Sequence, residues 1–248
     1  RGQGPAQPVG QPVTGDLAAV PTNHVNGAGK VVMRLNGNVA TVTITTSGLL
    51  DGNPHPLHIH AGERGICPPA SAARPHNGHL AISTSNGVPY YGPPVTALTT
   101  KGSTATGSIL ALTRFPRTGA IHYTRRLTLT APVSAFVRAD NAVIVVHGAD
   151  YNGNGVYDNS LDRSDLNRSL PGELTTPALC GKLIPQKAAP GSTGQTKTAQ
   201  APTGTGVYYA SLNGTDPDDG QVALTDVPAW ICHLGDTTDA ATGAAPRA

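Results

Sequence analysis

The chain has 248 residues, a net charge of +2, 13% charged and 4% aromatic residues, and is rich in Gly (30) and Pro (22). That composition excludes a helical bundle, which needs Ala, Leu, Glu, Lys and Arg in quantity, and it offers no basic run for nucleic acid. No stretch of 18 apolar residues is present, so no membrane-spanning helix is expected.

Residues 1–28 are Pro-, Gly- and Gln-rich without periodicity and read as an extended N-terminal arm. The chain starts with Arg1 and shows no apolar leader, so it reads as a mature form. From Gly29 the pattern turns to strands. Val31, Val32, Met33 and Leu35 form a short apolar run, and Asn36-Gly37 predicts a type I′ hairpin turn. Thr41-Val42-Thr43-Ile44-Thr45 alternates with period 2, the mark of a half-buried antiparallel strand.

Next come further strands at 94–99, 107–112, 121–130 and 142–147. Ala142–Val146 is wholly apolar and β-branched, so it should lie centrally, buried on both faces. The predicted fold class is all-β, a sandwich or partly closed barrel, over residues 29–185. Residues 186–206 read as a low-complexity linker, and 207–248 as a docking segment and tail. Tyr208, Tyr209 and Trp230 in that segment suggest a protein partner or a second copy of the chain.

Five of the nine histidines, His55, His58, His60, His76 and His79, fall within 25 residues. His58-Ile59-His60 places two imidazoles on one face of a strand. His147 ends the most buried strand, and a sandwich can bring it to that pair. Three imidazoles suit copper or zinc, and the Irving–Williams order favours copper. A plain hydrogen-bonding pair at a strand end accounts for H-x-H equally well. After His147, Asp150, Asn152, Asn154 and Asp158 put oxygen side chains at positions 1, 3, 5 and 9 of a loop, with Gly155 at position 6. This matches the first half of a calcium loop, but Leu161 holds position 12, so an Asn/Gly-rich surface turn is the competing reading. No G-x-S-x-G, G-x-G-x-x-G or P-loop is present. Three cysteines, Cys67, Cys180 and Cys232, allow one disulfide with one left over.

These motifs, in this order, resemble the copper/zinc superoxide dismutases. The resemblance rests on Asn36-Gly-Asn-Val-Ala-Thr-Val-Thr-Ile-Thr, then Gly48-Leu49, then Pro56-Leu-His58-Ile-His60-Ala-Gly. It continues through Cys67, Pro75-His76, Val145-Val146-His147 and Ala178-Leu-Cys180-Gly. The segments are also similar to secreted bacterial CHRD-type proteins. The resemblance implies a Greek-key fold of that family and a copper held by His58, His60, His76 and His147, with His79 as the rival of His76. It further implies a Cys67–Cys180 disulfide, a secreted or cell-envelope location and superoxide as substrate. The family's zinc site needs an Asp, and none lies between Asp51 and Asp140, so a copper-only centre is implied. The family's guiding arginine falls at Pro177 here, so the alternative is a non-catalytic structural protein of the same fold, with a vestigial or calcium-stabilised site.

Overall fold

The computed structural model describes residues 10–187. Its eleven described strands are β1 (Gln11–Ala19), β2 (Ala28–Asn36), β3 (Val39–Ser47), β4 (Leu57–Ala61), β5 (Arg74–His76), β6 (His79–Ala81), β7 (Pro94–Ala97), β8 (His122–Thr128), β9 (Ala142–His147), β10 (Pro177–Lys182) and β11 (Ile184–Pro185). The helices among them are α1 (Thr84–Tyr91), α2 (Ala131–Arg138) and α3 (Gly172–Thr175). No helix among the described residues is long and apolar enough to cross a membrane.

One curled antiparallel sheet runs β7-β4-β9-β10-β1-β2-β3-β8, with β11 also paired to β1, and β5-β6 forms a separate hairpin. The protein is all-β in the sandwich or barrel sense. β2 and β3 alternate buried and exposed residues as the period-2 pattern requires, sending Val31, Met33, Leu35, Ala40, Val42 and Ile44 into the core. Their hairpin differs from the expected type I′ turn. Asn36 pairs with Val39, so the two-residue loop is Gly37-Asn38, and of these only Gly37 takes a positive φ (+55°). All six residues of β9 are buried, as its unbroken β-branched run requires.

Two elements correct the sequence reading. The expected arm over 1–28 contains β1, which lies between β10 and β2 inside the sheet. Val13 and Leu17 alternate into the core there. Pro12 and Gly15 disguise the strand, and Gly15 is required because a Cβ would stand 2.4 Å from the Lys182 carbonyl oxygen. The expected strand over 107–112 is instead a stretch between two short 3₁₀ turns, Thr106–Ser108 and Leu112–Arg114. Here the backbone amides bond locally, Ser108 to Ala105 and Ile109 to Thr106, rather than to a neighbouring strand.

Cys67 and Cys180 form a disulfide, which ties the loop after β4 to β10 across 113 residues. Apart from Gln186 and Lys187, the expected linker lies outside the described residues, as do the C-terminal docking segment and Cys232.

Candidate metal centre

β4 lies between β7 and β9, with His58 opposite Val145 and His60 opposite Val143. Residues opposed across an antiparallel pair share a face, so His58 and His60 stand on the side of Val143 and Val145. By the same alternation His147, two residues past Val145, stands on that side too. Leu57, Ile59 and Ala61 face the other way, into the main core. The strand is therefore buried on both faces, with a histidine face and an aliphatic face.

The three imidazoles converge. One ligand nitrogen from each of His58, His60 and His147 lies within 4.8 Å of the others, and no other such group of His, Cys, Asp or Glu occurs among the described residues. The side chains are 1%, 0% and 1% exposed. His58 packs edge-on against Phe115, and His60 against Tyr91.

Each ring is held from behind by a backbone carbonyl. His58 Nε2 is 2.8 Å from the Ile109 oxygen, His60 Nδ1 is 2.9 Å from that of Gly92, and His147 Nδ1 is 2.7 Å from that of Thr175. A carbonyl only accepts, so these three nitrogens carry the protons. The opposite nitrogens, His58 Nδ1, His60 Nε2 and His147 Nε2, are left as bare lone pairs. His58 Nδ1 is buried without a hydrogen-bond partner, and His60 Nε2 faces His147 Nε2 at 3.5 Å. Nitrogen lone pairs gathered this closely in a buried cluster repel, and a cation among them relieves that repulsion.

Burial also keeps the rings neutral. It lowers His60 to about 3 and His147 to about 4, and drives His58 well below the usual histidine range, with the neighbouring imidazoles adding to the last effect. A metal-ligating histidine must be neutral, with its other nitrogen oriented by an acceptor, and all three rings meet both conditions.

Other histidines take other parts. His76, the expected fourth ligand, is not in the cluster. It pairs with His79 across the β5-β6 hairpin, and its Nε2 lies 2.7 Å from Asn86 Oδ1. The rival His79 packs near Tyr151 instead. His55 is buried beside the centre, its Nε2 2.8 Å from the Leu50 oxygen and its Nδ1 3.2 Å from the Tyr157 hydroxyl. His24 stacks on Tyr151, and His122 is exposed on β8.

Asp150, Asn152, Asn154 and Asp158 do meet in one loop. Asp150 accepts from the amides of Asn154 and Gly155, and Asp158 Oδ2 accepts from the side-chain amides of Asn152 and Asn154. Hydrogen bonds from Ser160 above all, with those from Asn152 and Asn154, lower the Asp158 carboxyl to about 2. Sequence reasoning missed the residue beneath this loop. Glu173 is buried, and its two carboxylate oxygens accept from the amides of Tyr151, Asn152 and Asp158. A lone Glu in a polar stretch carries no pattern that reveals such a role.

No protein-family model matches the chain, and no curated protein matches it. Among solved structures, a crystal structure of the clock protein EA4 is similar over 74% of this chain and 100% of that chain, at 14% identity and a TM-score of 0.34. That overlap is too loose to bear on the fold or the site.

Proposed function

We propose that this chain is a copper-binding protein of superoxide dismutase-like type, secreted or held in the cell envelope, with His58, His60 and His147 as its copper ligands and superoxide as the substrate to test. The observation that carries the reading is the cluster of three buried, neutral imidazoles, each with one nitrogen bonded to a backbone carbonyl and the other left as a lone pair. An all-imidazole donor set with no thiolate or carboxylate fits copper within the Irving–Williams series. Bound copper would supply one-electron redox chemistry. The chain's residues hold the ligands neutral, fix their tautomers and keep water from the ring faces. The Cys67–Cys180 disulfide fits an oxidising compartment.

A second reading keeps the copper-type fold without catalysis. It is favoured by the near-complete burial of the three rings beneath Ile109, Phe115 and Tyr91, and by Pro177 at the position of the family's guiding arginine. Copper titration of the metal-free chain tests the first claim: one equivalent with a nitrogen-ligated spectrum, absent in His58→Ala, is expected. A dismutation assay across ionic strength then separates the readings. Activity with weak salt dependence supports the enzyme lacking a steering charge. Stoichiometric copper with no activity leaves the non-catalytic protein.

A further inference from the structure

We propose that Thr84 and Tyr91, the first and last residues of α1, are positioning residues that set the separation of His60 and His147; this rests on the metal-centre reading above. The two ends of this short helix reach two different ligands. At its start, the buried Thr84 hydroxyl donates to the Thr175 carbonyl at 2.6 Å, and that same oxygen accepts from His147 Nδ1. At its end, the fully buried Tyr91 ring packs on His60 with centroids 4.6 Å apart, and the next residue, Gly92, supplies the carbonyl that holds His60 Nδ1.

The helix is also tied to itself. The Tyr91 hydroxyl folds back along it and donates to the Thr84 carbonyl at 2.9 Å. Gly87 permits this, since a Cβ there would stand 2.2 Å from the Tyr91 oxygen. Asp165 fixes the start of the helix by accepting from the Ser85 amide, and the Ser83–Asn86 capping box closes its first turn. This one eight-residue helix therefore spans from the carbonyl behind His147 to the carbonyl behind His60.

The tolerance of a metal centre makes that span consequential. Two imidazole nitrogens each about 2.0–2.1 Å from one ion can stand at most about 4.2 Å apart. His60 Nε2 and His147 Nε2 stand 3.5 Å apart, so a displacement of less than about 1 Å takes one of them out of range. Neither Thr84 nor Tyr91 faces the ion with a donor atom: both act through the rings and carbonyls they hold. Removing such outer contacts costs about 10–100-fold in metal affinity in known metal sites.

The experiment is copper(II) binding to the full chain by chelator competition, with electron paramagnetic resonance of the loaded protein, for the wild type, Thr84→Val, Thr84→Ser, Tyr91→Phe and His58→Ala. Thr84→Val and Tyr91→Phe should weaken copper about 10–100-fold and shift the nitrogen-ligated spectrum, while Thr84→Ser, which keeps the hydroxyl, should stay near the wild type. Wild-type affinity and spectrum in both Thr84→Val and Tyr91→Phe would overturn the proposal, whatever their melting temperatures. If Thr84→Val does not fold, Tyr91→Phe, which removes one oxygen and keeps the ring, decides it alone. A wild type that takes up no copper, or a His58→Ala that takes it up fully, overturns the metal-centre reading and this proposal with it.

Discussion

Lowering the pH of the metal-free protein from 7.5 to 5 should strip it of much of its stability, and the three central histidines set the size of the loss. In the unfolded chain each titrates near 6.5. In the fold burial holds His60 at about 3, His147 at about 4 and His58 well below its ordinary value. Between pH 6.5 and about 4 the unfolded chain therefore binds protons that the fold refuses. Stability is complete above the unfolded value and falls as the pH drops through that window. At pH 5 His60 and His147 each contribute about 2 kcal/mol of loss, about 4 kcal/mol together, and His58 adds in the same direction. His55, also lowered by burial, adds in the same direction. Glu173, raised by burial, works the other way but is a single group. Asp158, held at about 2, enters only below its ordinary range and so leaves the window clean. Domains of this kind are stable by roughly 5–15 kcal/mol, so from about a quarter to most of the margin is at stake. Urea unfolding followed by far-ultraviolet circular dichroism at pH 7.5, 6.5, 5.5 and 5.0, after chelation, reads the loss directly. A free energy flat to within about 1 kcal/mol over that range would show that the imidazoles are not buried and neutral, and the case for the centre would go with it.

Removing the Cys67–Cys180 bridge by paired serine substitution should cost up to about 5 kcal/mol, the chain-entropy value for a loop of this length; unchanged denaturant midpoints would refute that. Glu173→Gln puts an NH₂ group against one of the amides that the carboxylate now accepts from, and should cost about 1–3 kcal/mol with faster exchange of the Tyr151, Asn152 and Asp158 amides. Protected amides in the variant would show the loop to be held by something else. A calcium role for Asp150, Asn152, Asn154 and Asp158 requires a rise in melting temperature at millimolar calcium that disappears in Asp150→Ala. An unchanged melting temperature would leave the loop held by its own amides.

The cluster of His58, His60 and His147 was legible in the sequence because strands announce their faces. The two-residue period puts His58 and His60 together, and the apolar run ending at His147 marks the strand beside them. The half-buried hairpin of β2 and β3 was legible for the same reason. β1 was not, because Pro12 and Gly15 interrupt the residue types by which strands are recognised, while the contact that needs Gly15 comes from Lys182, far along the chain. His76 was assigned by its order in a family pattern. Local hairpin pairing and Asn86 instead decide where its ring goes. The orienting carbonyls of Ile109, Gly92 and Thr175 were invisible in principle, since every residue has a carbonyl and only the fold selects which three face a histidine.

That division has a physical consequence for how the centre responds to change. The sheet fixes the Cα positions of the three histidines, His58 and His60 through the β4-β9 ladder and His147 through its pairing with Pro177 of β10. The proton on each ring is fixed elsewhere, by one carbonyl from the stretch between two 3₁₀ turns, one from the end of α1 and one from the end of α3. The Gly92 and Thr175 carbonyls are tied together through α1, whose Thr84 hydroxyl donates to the Thr175 oxygen, whereas the Ile109 carbonyl belongs to a separate stretch. A shift of any one frees its imidazole to flip or change tautomer, and a flipped ring turns its N–H toward the ion position while its carbon scaffold stays in place. Substitutions in the loops should therefore change metal affinity at nearly constant fold stability, whereas substitutions in β4 and β9 should change both together. The strands decide where a metal can sit. The loops decide whether the nitrogens that meet there are acceptors.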